Sequence, residues 1–191
     1  KFGGNVVMTS REHGSGTDRC REAMESIQKG TGINIDVIIN IQGDEPFIES
    51  RQIETLISCF EDDKTEIATL VKSIDNEGDI FDENKPKVTF DIDNMALMFS
   101  RSPIPFVRGR KRKDWLSYHK FYRHIGIYAY RREVLQKISS LQPGKLEGAE
   151  SLEQLRWLEN GFTIRVKETE YDSIGIDTPE DLQIALRSIK T

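Results

Sequence analysis

The stretch Val37-Ile38-Ile39-Asn40-Ile41 constrains the fold more than any other in this chain. A run of β-branched apolar residues suits a strand covered on both faces, the situation of a buried parallel strand between helices. An amphipathic helix pattern follows, with Ile53, Leu56, Ile57 and Phe60 on one face and Ser50 as its expected N-cap. Ile67 to Val71 reads as the next strand. Strand, helix and strand in that order predict crossover connections, hence an α/β fold with a mostly parallel central sheet and flanking helices.

The rest of the chain fits that frame. Val6 to Thr9 reads as a short strand, His13 to Thr17 as a polar loop, and Asp18 to Lys29 as a helix. Lys87 to Phe90 and Ala96 to Phe99 flank Asp91-Ile92-Asp93-Asn94, which predicts an inserted β-hairpin. The basic run Arg108 to Lys113 reads as an exposed loop. His124 to Tyr130 is a strand, followed by a short helix around Val134, Leu135 and Ile138. A helix over Glu150 to Asn160 is stopped by Gly161, and Thr163 to Val166 is a strand. The last helix has Thr178 as N-cap and Pro179 in its first turn.

A length of 191 residues suits one domain, 1–191. The formal charge of −5 speaks against a dedicated nucleic-acid binder, which needs clustered cations. No apolar run approaches the roughly 20 residues that span a bilayer. Cys20 and Cys59 lack metal-site spacing and read as reduced thiols of a cytoplasmic protein. The chain begins Lys1-Phe2-Gly3-Gly4 and runs at once into a strand-like segment, as if it started inside a domain.

Two acidic stretches suggest chemistry. Ile41-Gln42-Gly43-Asp44-Glu45-Pro46 and Ile174-Gly175-Ile176-Asp177-Thr178-Pro179 each bring an aspartate to the end of an apolar strand. Ligands of open α/β sheets bind at that edge. Mg²⁺ takes one or two carboxylates with water and phosphate oxygens, so Asp44 and Asp177 suit a cation beside a phosphate chain. Each also has a plain structural use, Asp44 in a turn before Pro46 and Asp177 beside a helix N-cap. Ser15-Gly16-Thr17-Asp18 leads into a helix whose first amides are free donors. His124, Gly126 and Tyr128 share one strand face by period two, which suits a polyhydroxylated ligand. Glu153 and Gln154 are helix neighbours, so only one is expected to face the core side. Arg101 follows an apolar strand and either clamps a carboxylate bidentately or stands exposed.

Six segments in order carry a resemblance: His13 to Arg19, Ile41 to Pro46, Phe99-Ser100-Arg101, Arg123 to Tyr128, Leu152 to Arg156 and Gly175 to Asp181. Together they resemble the 3-deoxy-manno-octulosonate (Kdo) cytidylyltransferases. The resemblance implies a nucleotide-diphosphosugar-transferase-like fold and, as a rule, a homodimer. It implies CMP transfer from CTP to Kdo with Mg²⁺, giving CMP-Kdo and pyrophosphate for lipopolysaccharide biosynthesis. By matching motif, Asp44 and Asp177 would be catalytic Mg²⁺ ligands, and Ser15, Gly16 and Gln42 would lie along the nucleotide. Arg101, His124, Tyr128, Glu153 and Gln154 would line the sugar-acid pocket, with Arg101 facing the carboxylate. The family's N-terminal basic loop of the type Pro-Ala-Arg has no match in this sequence, so the chain reads as lacking its N-terminal part. The alternatives are a cytidylyltransferase for another sugar acid, such as a sialic acid, or a non-catalytic sugar- or nucleotide-binding module.

Overall fold

A computed structural model describes residues 3–43, 45 and 47–172. Asp44, Pro46, Asp177 and the expected last helix lie outside the described residues. The order begins α1 (Gly16–Thr31), β1 (Val37–Asn40), α2 (Ser50–Ser58), β2 (Ile67–Ser73) and α3 (Glu77–Phe81). The hairpin β3 (Lys87–Phe90) and β4 (Ala96–Ser100) follows, then α4 (Trp115–Tyr118) and the long strand β5 (Tyr122–Arg131). The chain goes on through α5 (Arg132–Ile138), α6 (Lys145–Glu150), α7 (Glu153–Glu159) and β6 (Ile164–Glu168).

The strands form one sheet in the order β4-β3-β5-β2-β6, with β1 also paired to β5. Among the described strands the pairing is mixed, with fewer parallel pairs than the sequence pattern predicts. Strand β5 runs antiparallel to β1, β2 and β3, and β2 with β6 is the parallel pair among the described strands. Because β1 and β2 are both antiparallel to β5, they point the same way, as the β1–α2–β2 crossover requires. What the sequence pattern does not reveal is that β5 lies between them, running the other way. Its register against β2 shifts between Thr69 and Leu70, where β5 takes up extra residues around Gly126.

The sheet is covered on both faces. On one, Ile67, Val71, Phe99, Tyr128 and Tyr130 pack against Leu135 of α5 and Leu155 and Trp157 of α7. On the other, Leu56 and Phe60 cover Leu70, Ile125, Ile127 and Ala129. The odd and even residues of β5 thus separate cleanly by period two. A smaller cluster of Ile80, Val107, Trp115 and Phe121 anchors the segment carrying the basic run. That run is exposed, with Arg110 over the Tyr118 ring and Arg112 over Phe81.

Local chemistry sets the boundaries. Ser15 caps α1 by accepting from the Asp18 amide at 3.2 Å, and Gly32 closes it at φ 69°. Helix α2 starts from Glu49 rather than Ser50 as N-cap, with the Gln52 side-chain oxygen accepting from the Glu49 amide at 3.0 Å and the Glu49 carbonyl accepting from the Gln52 amide at 2.9 Å. The hairpin turns on Asn94 at φ 60°, with Asp91 Oδ1 accepting from the Asp93 and Met95 amides at 2.9 and 2.8 Å. The helix expected over Glu150 to Asn160 is α7 and starts later, at Glu153, because Glu150 ends α6 and a break follows where Ser151 takes φ 51°. Gly161 ends α7 at φ 81°, with the Gly161 and Phe162 amides returning to the carbonyls of Leu158 and Trp157. Val6 to Thr9 forms no strand. No described residue pairs with its backbone, and Val6 and Met8 are 81% and 85% exposed.

Since β5 is the hub of the sheet, truncation on it is costly. Ile127→Ala, at a residue 1% exposed, is expected to lower stability by about 2–5 kcal/mol. Ile92→Ala, at a residue 98% exposed in the hairpin turn, is expected to change it by less than about 0.5 kcal/mol. Chemical denaturation of both variants checks the contrast.

Candidate active site

The even face of β5 is the floor of the candidate site. His124 and Tyr128 lie on it with ring centroids 5.2 Å apart, as period two predicts. Gly126 lies between them, and a Cβ there would come within 3.2 Å of Glu45 Oε1 and 3.9 Å of Gln42 Nε2. The missing side chain therefore lets the loop after β1 close onto β5, where Gln42 Nε2 reaches the Gly126 carbonyl at 3.5 Å. In this way Gln42, on the expected nucleotide side, sits beside the strand expected to bind sugar.

The state of His124 follows from its neighbours. Nε2 lies 2.9 Å from Thr69 Oγ1, and the Phe99 ring meets the imidazole edge-on at 5.2 Å. The Thr69 hydroxyl donates to the Ile127 carbonyl at 2.7 Å, so it accepts from Nε2–H of His124. Nδ1 is then an acceptor free for a ligand hydroxyl. Burial pushes the imidazole down to about 3, which keeps it neutral. Burial also raises the Tyr128 phenol well above its usual value, with Tyr130 and Glu153 adding to the rise.

Two helix N-termini close on this floor. Ser15, Gly16 and Thr17 open α1, and Glu153 and Gln154 open α7. Thr17, 1% exposed, donates its hydroxyl to Glu153 Oε2 at 2.9 Å. Asn40, at the end of β1, backs Gly16, where a Cβ would meet Asn40 Nδ2 at 3.3 Å. Glu153 is held above the ordinary carboxylate range by burial, against the pull of Thr17, Arg156 and Ser15. Of the helix neighbours Glu153 and Gln154, it is Gln154 that is buried, at 4% exposure, while Glu153 bridges to α1. A cleft of about 560 Å³ lies alongside, lined by Ser15, Asp18, Glu147, Glu153 and Arg156 among others.

Arg101 lies between the two readings its sequence position allowed. It is half-buried, with Nε on the Glu150 carbonyl at 2.6 Å, Nη1 on Glu83 O at 2.9 Å and Nη2 on Ser151 O at 3.4 Å. Glu150 in turn accepts from the Ser100 hydroxyl at 2.7 Å and the Arg101 amide at 2.9 Å. Arg101 therefore ties the end of β4 to the C-terminal end of α6, just before α7, and its remaining N–H donors are left for a ligand.

The hydroxyl of Tyr128, the side-chain nitrogen of Gln154 and the indole N–H of Trp157 are buried without a hydrogen-bond partner among the described residues, while the Tyr130 phenol lies against Thr17 and Asn40. Tyr128, Tyr130 and Trp157 also pack ring against ring, at centroid distances of 5.0 to 6.0 Å. An orphaned polar group costs about 1–3 kcal/mol, so a cluster of them at one place marks a spot built to receive a polar molecule. Thr17, Asn40, Thr69, Tyr130 and Trp157 were not singled out from the sequence. Thr69 and Tyr130 look there like ordinary strand formers, and Trp157 like core. Asp44 and Asp177 lie outside the described residues, among which no three His, Cys, Asp or Glu side chains converge as a metal site.

Comparisons with known proteins identify the family. Residues 1–168 match the family model described as cytidylyltransferase. The 3-deoxy-manno-octulosonate cytidylyltransferase of Parabacteroides distasonis is 57% identical over 97% of this chain and 74% of its own length. That of Thermodesulfovibrio yellowstonii is 47% identical over 100% of this chain and 75% of its own. The chain thus spans about three quarters of these relatives. The structure of a CMP:2-keto-3-deoxy-manno-octonic acid synthetase complexed with CTP superposes with a TM-score of 0.86, at 39% identity, over 100% of this chain and 75% of that one. A 4-diphosphocytidyl-2C-methyl-D-erythritol synthase of Anaerococcus prevotii, at 14% identity and TM-score 0.55, shares the fold alone. With 57% identity over 97% of its length and a family match over residues 1–168, the chain belongs to the cytidylyltransferase family, among the 3-deoxy-manno-octulosonate cytidylyltransferases.

Proposed function

We propose that this chain transfers CMP from CTP to 3-deoxy-manno-octulosonate and releases pyrophosphate. The observation that carries the reading is the polar face of β5, where a neutral imidazole, a phenol and the α7 N-terminus converge beside the glycine-bearing N-terminus of α1. A sugar hydroxyl oxygen would attack the α-phosphorus of CTP. The new O–P bond forms as the bond to the bridging oxygen breaks, pyrophosphate leaves, and the hydroxyl proton passes to solvent water. Such a displacement asks mainly for positioning and charge neutralisation.

The residues divide the work. Free amides at the start of α1, with Ser15 and Gly16, suit phosphate or base contacts, and Gln42 extends that side toward β5. Nδ1 of His124 accepts from one sugar hydroxyl, and the Tyr128 phenol and Gln154 amide supply donors. Glu153 supports the same wall, and Arg101 offers its remaining N–H groups to the sugar carboxylate. Mg²⁺ would be held by Asp44 and Asp177, and when bound would neutralise charge on the phosphates. The working unit is taken as a cytoplasmic homodimer. Leu97, 62% exposed on the edge strand β4, and Phe106, 73% exposed, offer apolar surface for such pairing. Among the described residues no helix is long and apolar enough to cross a membrane.

Pyrophosphate release with CTP, Mg²⁺ and a panel of sugar acids tests the reading. Turnover is expected with Kdo and not with sialic acid, and the reverse would refute it. Asp44→Asn and Asp177→Asn are each expected to abolish turnover with the fold retained, as read by circular dichroism. Near-normal activity at saturating Mg²⁺ would remove that residue from the metal site.

The neutral His124 has a pH signature. Its proton affinity lies far below the ordinary 6.5 in the fold, while the unfolded chain protonates near that value. The unfolded state therefore binds more protons below pH 6.5, and stability falls as the pH drops from there toward about 3. The His124 ring resonances are expected to stay fixed from pH 8 to about 5 in an NMR titration. In His124→Gln the acid-side loss of stability is expected to be shallower by one proton.

A further inference from the structure

We propose that Thr17 is a positioning residue for this reaction: its buried hydroxyl fastens the Glu153 carboxylate, and with it the N-terminus of α7, to the loop that carries Ser15 and Gly16. The inference rests on the function proposed above and adds a residue to it.

The geometry is specific. Thr17 is 1% exposed, and its Oγ1 lies 2.9 Å from Glu153 Oε2, a bond joining positions 136 residues apart. Ser15, Thr17's neighbour across Gly16, also stabilises the Glu153 anion. The carboxylate thus meets the first turn of α1, a sixteen-residue helix whose amide end favours negative charge. Behind Thr17 stand Asn40 and the Tyr130 phenol, the second of which is wholly buried. Titratable groups face Glu153 from every element packed against it. They are Asp18 and Cys20 of α1, Tyr128 and Tyr130 of β5, and Arg156 of its own helix.

A bond from a buried hydroxyl to a carboxylate in a low-dielectric site is strong and directional. Here it spans the two walls expected to hold the two substrates. Glu153 precedes Gln154, whose buried side-chain nitrogen lacks a partner among the described residues. Fixing Glu153 therefore fixes where Gln154 presents its amide. Cutting the bond would let the sugar-side wall shift while leaving the nucleotide loop intact.

The test compares Thr17→Val, which keeps the branched shape and deletes the hydroxyl, with Thr17→Ser, which restores it. Both are made in the full chain and assayed by pyrophosphate release. Thr17→Val is expected to raise KM for Kdo by about tenfold, the cost of one hydrogen bond to a charged group, with a much smaller change in KM for CTP. A ¹³C carboxyl titration is expected to show the Glu153 pKa moving up in the valine variant, because the hydroxyl favours the anion. Thr17→Ser is expected to return both quantities toward those of the unaltered chain. Should the valine variant not fold, Thr17→Ala carries the same expectation. A valine variant with KM for Kdo within about twofold and an unmoved Glu153 would overturn the role, as would a serine variant that restores neither. An unaltered chain silent toward CTP and Kdo would sink the proposed function and this role together. An active one with an indifferent valine variant sinks the role alone.

Discussion

Strand β5 holds this fold together. It pairs with β1, β2 and β3, always antiparallel, and so holds together elements that are far apart in the chain. Its odd residues, Ile125, Ile127 and Ala129, complete one apolar core under α2. Its even residues, His124, Tyr128 and Tyr130, turn toward α1, α5 and α7. One strand thereby fixes the packing of the sheet and the polar floor of the site. A shift of one residue in its register would exchange the two faces and lose both.

The polar floor is expensive, and the expense points to its use. A neutral histidine, two phenols raised by burial, a carboxyl held above its ordinary range and an amide without a partner all crowd one region. A core designed for stability alone would have apolar residues there. The hydroxyls of Thr69 and Thr17 limit the cost, one by orienting the imidazole and the other by holding Glu153. What they leave unsatisfied is a set of donors and an acceptor suited to a sugar rich in hydroxyls.

Much of this was legible from residue patterns, and the gaps have physical causes. The face shared by His124, Gly126 and Tyr128 follows from period two, and the hairpin from its Asp-rich turn closed by Asn94. Gly161 marks the end of α7 because the Schellman geometry needs a positive φ there. The direction of β5 was not legible, since an apolar strand pattern carries no polarity. The break at Ser151 was missed because serine in a helical pattern gives no warning of a left-handed residue. Val6 to Thr9 has strand-like residues, but a strand also needs a neighbour for its backbone groups. Thr17 lay inside a recognised motif, and only the fold brings it against a carboxylate 136 residues away.

On the function proposed above, the sugar acid meets the nucleotide on the even face of β5, closed by α1 and α7. That placement is tested most directly by a crystal structure of the full chain with a non-hydrolysable CTP analogue and Kdo. Kdo hydroxyls are expected within about 3 Å of His124 Nδ1 and the Tyr128 hydroxyl, and the nucleotide against Ser15 and Gly16. Kdo bound away from β5, with His124 and Tyr128 untouched, would contradict it.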